Sequence, residues 1–260
     1  MKKLLSIIFF SCFIFSLQAR IVVTNGLSHQ HDLSNLDNDR GVIRLKNMGK
    51  EEQRVRIYLS DLFMDCDKGT TFVSAGEALR SNADWITISS VEEVVSPDES
   101  VEIQYVIKKP SSVAQNGSFW SFIMVENVPE IDTSNVEGGV KLNTNFRYAV
   151  QIISDIGGED GDIGFDSVYY APESSELVLH MTNPSTRLIR ATFELEMFNS
   201  KGEQLKFQGD TPVKLYPGLC RKVKLPLDAE ERTGLFEGNV IVRTNNFGLF
   251  GYRLKMDLDE

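Results

Sequence analysis

One segment limits what this chain can fold into more than any other. Ser118-Phe119-Trp120-Ser121-Phe122-Ile123-Met124-Val125-Glu126-Asn127-Val128-Pro129 carries large apolar side chains at odd and even positions alike. Successive side chains of a strand point to opposite faces, so a strand made from it must be covered twice. After an acidic, Gly-containing loop comes Asn145-Phe146-Arg147-Tyr148-Ala149-Val150-Gln151-Ile152-Ile153, which alternates instead. Phe146, Tyr148, Val150 and Ile152 share one side by period-2 spacing. Two readings stay open for that row. It faces the core of its own domain, or its strand lies at a sheet edge whose unpaired backbone groups accept another chain. Under the second reading Phe146, Tyr148, Val150 and Ile152 are the expected partner-binding residues. Neither reading suggests catalysis.

The rest of the chain reads as short strands between turn residues. Gly41 to Met48, Gln53 to Leu62, Trp85 to Ser89 and Val101 to Lys108 precede the double-faced segment. Glu176 to Thr182, Leu188 to Phe198, Gln204 to Phe207, Leu219 to Leu225, Gly238 to Thr244 and Gly248 to Asp257 follow it. Helical turns are expected only within Gly76–Asn82 and Asp228–Thr233. Strands at this spacing, without a sustained 3.6-residue period, predict an all-β chain of tandem β-sandwiches. The apolar-poor run Gly157-Gly158-Glu159-Asp160-Gly161-Asp162-Ile163-Gly164 marks a linker or long loop between them. The expected organisation is residues 1–19 as a leader, 20–156 as the first sandwich, 157–164 as the linker and 165–260 as the second sandwich.

The leader rests on Lys2 and Lys3, the apolar run from Leu4 to Leu17 and a cleavable Leu17-Gln18-Ala19. The run is too short to span a bilayer comfortably and no stop-transfer pattern follows, so no stable membrane insertion is expected after cleavage at Arg20. Cys12 belongs to that run. The mature chain is then periplasmic or secreted. Its cysteines, Cys66 and Cys220, fall in different sandwiches and read as two separate thiols. The formal net charge of −10 becomes −12 without Lys2 and Lys3 (−10 − 2). With no basic run, the chain is a poor partner for nucleic acid or an anionic membrane.

The order of several motifs resembles the periplasmic pilus-chaperone (PapD-like) family. Phe119-Trp120 to Val128-Pro129 is similar to that family's aromatic strand ending in Ile-Pro, and a loop and the alternating strand Phe146 to Ile152 follow it. Trp85, Ser96-Pro97 and the Val101 strand lie upstream. Asn183-Pro184-Ser185 and Tyr216-Pro217-Gly218 resemble turns of the second half. The resemblance covers nearly all of the mature chain and implies two tandem immunoglobulin-like β-sandwiches. It implies a non-enzymatic chaperone that holds partner polypeptides, pilus-like or surface subunits, by strand addition at an edge strand. The alternative is a structural or adhesive surface protein that uses the sandwiches as spacers. The family grips its partner's terminal carboxylate with an Arg on the first strand and a Lys late in the edge strand. Here the corresponding strand ends Gln151-Ile152-Ile153-Ser154-Asp155, without a Lys. Arg20 and Arg147 are the nearby basic residues expected to contribute instead.

No nucleophile elbow, phosphate loop or zinc spacing is present, so no enzyme, cofactor or metal is expected. His29-Gln30-His31 reads as exposed loop histidines. Asp65-Cys66-Asp67-Lys68-Gly69 and Gly157 to Asp162 lack the ligand spacing of a calcium loop. Trp85 and Trp120 read as core fillers.

Overall fold

The double-faced segment forms a central strand. The structure, a computed structural model, describes residues 21–113, 115–128, 145–158, 161–228, 233–245 and 248–258. The expected leader, Arg20, the acidic loop before Asn145 and the core of the turn expected at Asp228–Thr233 lie outside these.

The first sandwich pairs two sheets. One has the order β1 (Ile21–Val23), β3 (Asn38–Asn47), β8 (Ser100–Lys108), β6 (Ile86–Ile88). The other runs β2 (Ser28–Asp32), β10 (Arg147–Ile156), β9 (Gly117–Asn127), β4 (Gln53–Asp65), β5 (Gly69–Ser74), with β7 (Glu92–Val95) also on β4. The N-terminal segment thus contributes to both sheets, crossing between them at Gly26, whose φ of +90° suits glycine. The second sandwich stacks β11 (Gly164–Ala171), β12 (Glu176–Thr182) and β15 (Cys220–Pro226) on β14 (Gln204–Leu215), β13 (Ile189–Asn199), β16 (Leu235–Thr244) and β17 (Leu249–Asp257). The all-β, two-sandwich expectation is what the chain forms.

Alternation explains the cores. Val55 and Ile57 of β4, Ile103, Tyr105 and Ile107 of β8, Phe119, Ile123 and Val125 of β9, and Val150 and Ile152 of β10 all point between the first two sheets. Trp85 joins that core, against Phe119. The opposite faces of β4, β9 and β10 supply Leu62, Met64, Trp120, Phe122, Met124 and Ile153, which pack with Leu188 and Tyr216 of the second sandwich. β9 is therefore covered twice, by its own domain and at the junction with the next.

Three details differ from expectation. β14 runs past Phe207 to Leu215 despite Gly209 and Pro212, which an edge strand tolerates because one side of its backbone needs no partner. β1, β2, β5, β7 and β11 were not anticipated; they lie at sheet margins with few buried side chains, so none has a strong period. Gly76–Asn82 holds a turn, Ser81 N–H donating to Ala78 O at 3.0 Å, and the short 3-10 turns fall elsewhere, at Ala83–Trp85 and Pro172–Ser174.

Candidate partner-binding edge and domain junction

β10 is half covered. It pairs antiparallel with β9 along its whole length, and in parallel with β2 only from Gln151 to Asp155. Gln151 N–H donates to Leu27 O at 2.9 Å and Leu33 N–H to Asp155 O at 2.7 Å. Odd-numbered residues of β10 therefore aim their backbone groups at β2, and even-numbered ones at β9. By the same alternation Arg147 and Ala149 aim theirs at the side where, among the described residues, no strand pairs. The open stretch is Arg147–Val150.

The side chains on this strand require a correction. Val150 and Ile152 are fully buried in the first core. Phe146 and Tyr148 are half-buried against the same core, and the Tyr148 hydroxyl donates to Ile21 O at 2.8 Å. The row expected to meet a partner faces its own domain, because the second sheet covers that side. What remains for a partner is backbone, together with Ala149 and Arg147 on the other face. Arg147 lies over the Phe72 ring, 5.7 Å from its centroid.

The junction between sandwiches is packed. Trp120 and Tyr216 rings lie 4.8 Å apart. Gly117, at φ +116°, admits no side chain: a Cβ there would stand 2.0 Å from Thr186 O. Ser118 N–H donates to that same oxygen at 2.9 Å, and Leu188 N–H donates to Ser118 Oγ at 2.9 Å. The sulfurs of Cys66 and Cys220 are bonded, with Cα atoms 5.2 Å apart. The expectation of two separate thiols is overturned. Cys66 continues the outward-facing Leu62 and Met64, and the apolar contact delivers it to the start of β15.

At the boundary between the open and covered parts of β10 sits a cluster of cations from the second sandwich. Lys214 Nζ donates to Ser28 Oγ at 2.9 Å and to the Gln151 carboxamide oxygen. Arg190 donates to Gln30 Oε1 at 2.8 Å, and Arg221 to Lys214 O at 2.8 Å. Gln151 Nε2 donates to the Tyr216 hydroxyl at 2.8 Å. Burial, then the charges of Arg190 and Arg221, push Lys214 down to about 8. Burial likewise lowers Arg221. The side-chain acceptors of Lys214 and Arg190 are neutral hydroxyl and amide oxygens, so among the described residues the cluster has no carboxylate partner and presents net positive charge where the open edge ends.

The histidines require a second correction. His29 and His31 lie on β2, half-buried and buried, instead of in an exposed loop. His31 Nδ1 is 2.8 Å from Asp39 Oδ2 and its Nε2 is 3.0 Å from the Tyr105 hydroxyl, which is 2.8 Å from His29 Nδ1. Asp65 accepts the N–H groups of Asp67 and Lys68, both at 2.9 Å, so the calcium-like Asp65–Gly69 run is a hairpin turn.

No protein-family model matches the chain, and no curated protein matches its sequence. Solved structures do. The YadV chaperone is 14% identical, with 91% of this chain and 100% of that one covered and a TM-score of 0.48. The class 5 fimbriae chaperone CfaA is 12% identical, with 91% and 98% covered and a TM-score of 0.48. The CsuC–CsuE chaperone–tip subunit complex of Acinetobacter baumannii matches at 11% identity, with 92% and 98% covered and a TM-score of 0.48. All three of these structures contain chaperones, two of them from a pilus or fimbrial system.

Arg20 lies outside the described residues. Arg147 borders the open edge but is separate from the Lys214 cluster. The cations that do gather there escaped sequence reasoning because Arg190, Lys214 and Arg221 sit on different strands of the second sandwich. Arg190 and Lys214 become neighbours only through the pairing of β13 with β14.

Proposed function

We propose that this protein is an exported, non-enzymatic chaperone that holds a partner polypeptide by adding the partner's strand to the open edge of β10. The partner class is a pilus-like or surface subunit, and the compartment is the periplasm. The observation that carries the proposal is the Arg147–Val150 edge, unpaired among the described residues and ending against cations whose side-chain acceptors there are neutral. A strand added there gains backbone hydrogen bonds from Arg147 and Ala149. If it runs parallel to β10, its terminal carboxylate arrives at Lys214, Arg190 and Arg221, which offer charge-assisted hydrogen bonds. The gripping cations would then come from the second sandwich, which explains why Gln151 can stand where a Lys was expected.

Ala149→Pro tests this. It removes an outward N–H and no internal ladder bond. Capture of partners from a periplasmic extract should fall sharply while the melting temperature holds. Val150→Pro, which removes a bond to β9, should instead lower the melting temperature. Undiminished capture by a folded Ala149→Pro protein sinks strand addition. The second reading, a rigid spacer in a surface structure, draws on the bonded, apolar junction; it expects no capture by either form.

A further inference from the structure

β2 carries no aliphatic side chain of its own: its rings His29 and His31 pack on Tyr105, and the fully buried Leu33 follows directly after it. Its residues are Ser28-His29-Gln30-His31-Asp32. Beyond its backbone pairing with β10, its inward anchor is the chain Asp39–His31–Tyr105–His29. We propose that this chain makes β2 an acid-released cover, so that lowering the pH frees it and extends the open edge of β10 from Arg147–Val150 to Arg147–Asp155.

With His31 neutral, the bonds place the protons. A carboxylate only accepts, so His31 Nδ1–H donates to Asp39. His31 Nε2 then accepts the Tyr105 O–H, and the Tyr105 oxygen accepts His29 Nδ1–H. In that arrangement both imidazoles are neutral and all three contacts of the chain are hydrogen-bonded. A proton added to His29 goes to Nε2, which is buried and has no hydrogen-bond partner. Tyr105 has little room to turn, because its ring lies across Gly41, where a Cβ would come within 2.1 Å of it.

The surroundings supply little to offset added charge. From β3 comes Asp39, shared by the whole chain. From β8 comes Tyr105, whose ionisation burial pushes up. On β10, Asp155 is engaged by Ser118 and Gln30. Asp32 accepts from Ser34 at the exposed end of β2. Lys109 Nζ holds Leu33 O, and across the junction Arg190 and Lys214 add positive charge. Burial, reinforced by His31 and opposed by the Asn25 and Gly26 backbone, lowers His29 below its ordinary 6.5. For Asp39, burial works against ionisation, yet bonds from His31 and the Arg40 N–H keep its carboxyl below the usual range. Both groups thus bind protons more weakly with β2 seated. The stability His29 lends the seat is present above its ordinary 6.5 and is lost as the pH falls through its lowered value, whereas that of Asp39 is lost only in the acid range below 3.8. Release also withdraws Ser28 and Gln30 from Lys214 and Arg190, baring the cations together with the longer edge.

Amide exchange resolved by NMR on the full, disulfide-bonded chain, at about pH 7.5 and about pH 5.5 and corrected for intrinsic rates, reads this directly. The Gln151, Ile153 and Asp155 amides should lose protection by up to about tenfold per pH unit for each proton taken up on release. Even-numbered β10 amides and the second sandwich should keep theirs. A His29→Asn/His31→Asn variant should show no such pH dependence. If that variant does not fold, Tyr105→Phe, which keeps both imidazoles and breaks the link between them, should show reduced protection already at the higher pH. Unchanged protection across the pH range overturns the proposal. So does an equal loss across the whole first sandwich, and so does a pH response that survives in the double variant.

Discussion

Removing the inter-sandwich bond is the perturbation whose effect follows most directly from the structure. Cys66 and Cys220 are 154 residues apart in sequence, so their bond closes a ring holding most of both sandwiches. Cross-linking a loop of that size removes chain entropy from the unfolded state worth about 5 kcal/mol at 25 °C. If the second sandwich melts alone, the ring released on unfolding runs only from the linker to Cys220, and the same relation gives about 4 kcal/mol. Both figures are upper bounds, because residual denatured structure reduces them. Spread over a chain of this size, a loss of 4–5 kcal/mol corresponds to a fall of roughly 10–20 °C in Tm. The assay is calorimetry on oxidised protein, on reduced protein and on a Cys66→Ala/Cys220→Ala variant, beside a thiol titration in denaturant. Oxidised monomer should expose no reactive thiol from this pair until reduced, and the reduced and variant proteins should melt alike. A Tm unchanged by the double substitution, or two free thiols in denatured, unreduced monomer, refutes the reasoning.

Three further outcomes are expected. Proteolysis within Gly157–Gly164 should give fragments that separate on a gel only after reduction; separation without reductant excludes the bond. Lys214→Met should raise Tm at neutral pH, since a cation pushed down to about 8 resists its own burial. That gain is full below about pH 8 and shrinks as the pH rises toward the ordinary lysine value of 10.5, while partner capture weakens; a pH-independent change in Tm argues against it. Trp120→Ala should cost about 3–5 kcal/mol, because Trp120 is 1% exposed and fills the junction. A loss below about 1 kcal/mol in denaturant titration would mean that the junction repacks around the gap.

Local pattern carried far in this chain. Alternation in Val55-Ile57-Leu59, Val101-Ile103-Tyr105 and Ile189-Ala191-Phe193 marks the strands, since the period-2 geometry of an extended chain is written residue by residue. The two apolar faces of β9 required two covers, and the structure supplies them. What pattern could not choose was which cover faces which row. The alternation of Phe146, Tyr148, Val150 and Ile152 suits a core or a partner equally, and the position of the second sheet decides for the core. Strands β2, β5 and β11 lie at sheet edges with little buried apolar surface, so they left no period to read. The Cys66–Cys220 bond, the Arg190–Lys214–Arg221 cluster and the Asp39–His31–Tyr105–His29 chain depend on residues brought together from distant parts of the sequence. Such meetings are set by how whole sheets pack and by the angle between two sandwiches. Those are properties of the summed burial of many side chains, and no short window of sequence contains them.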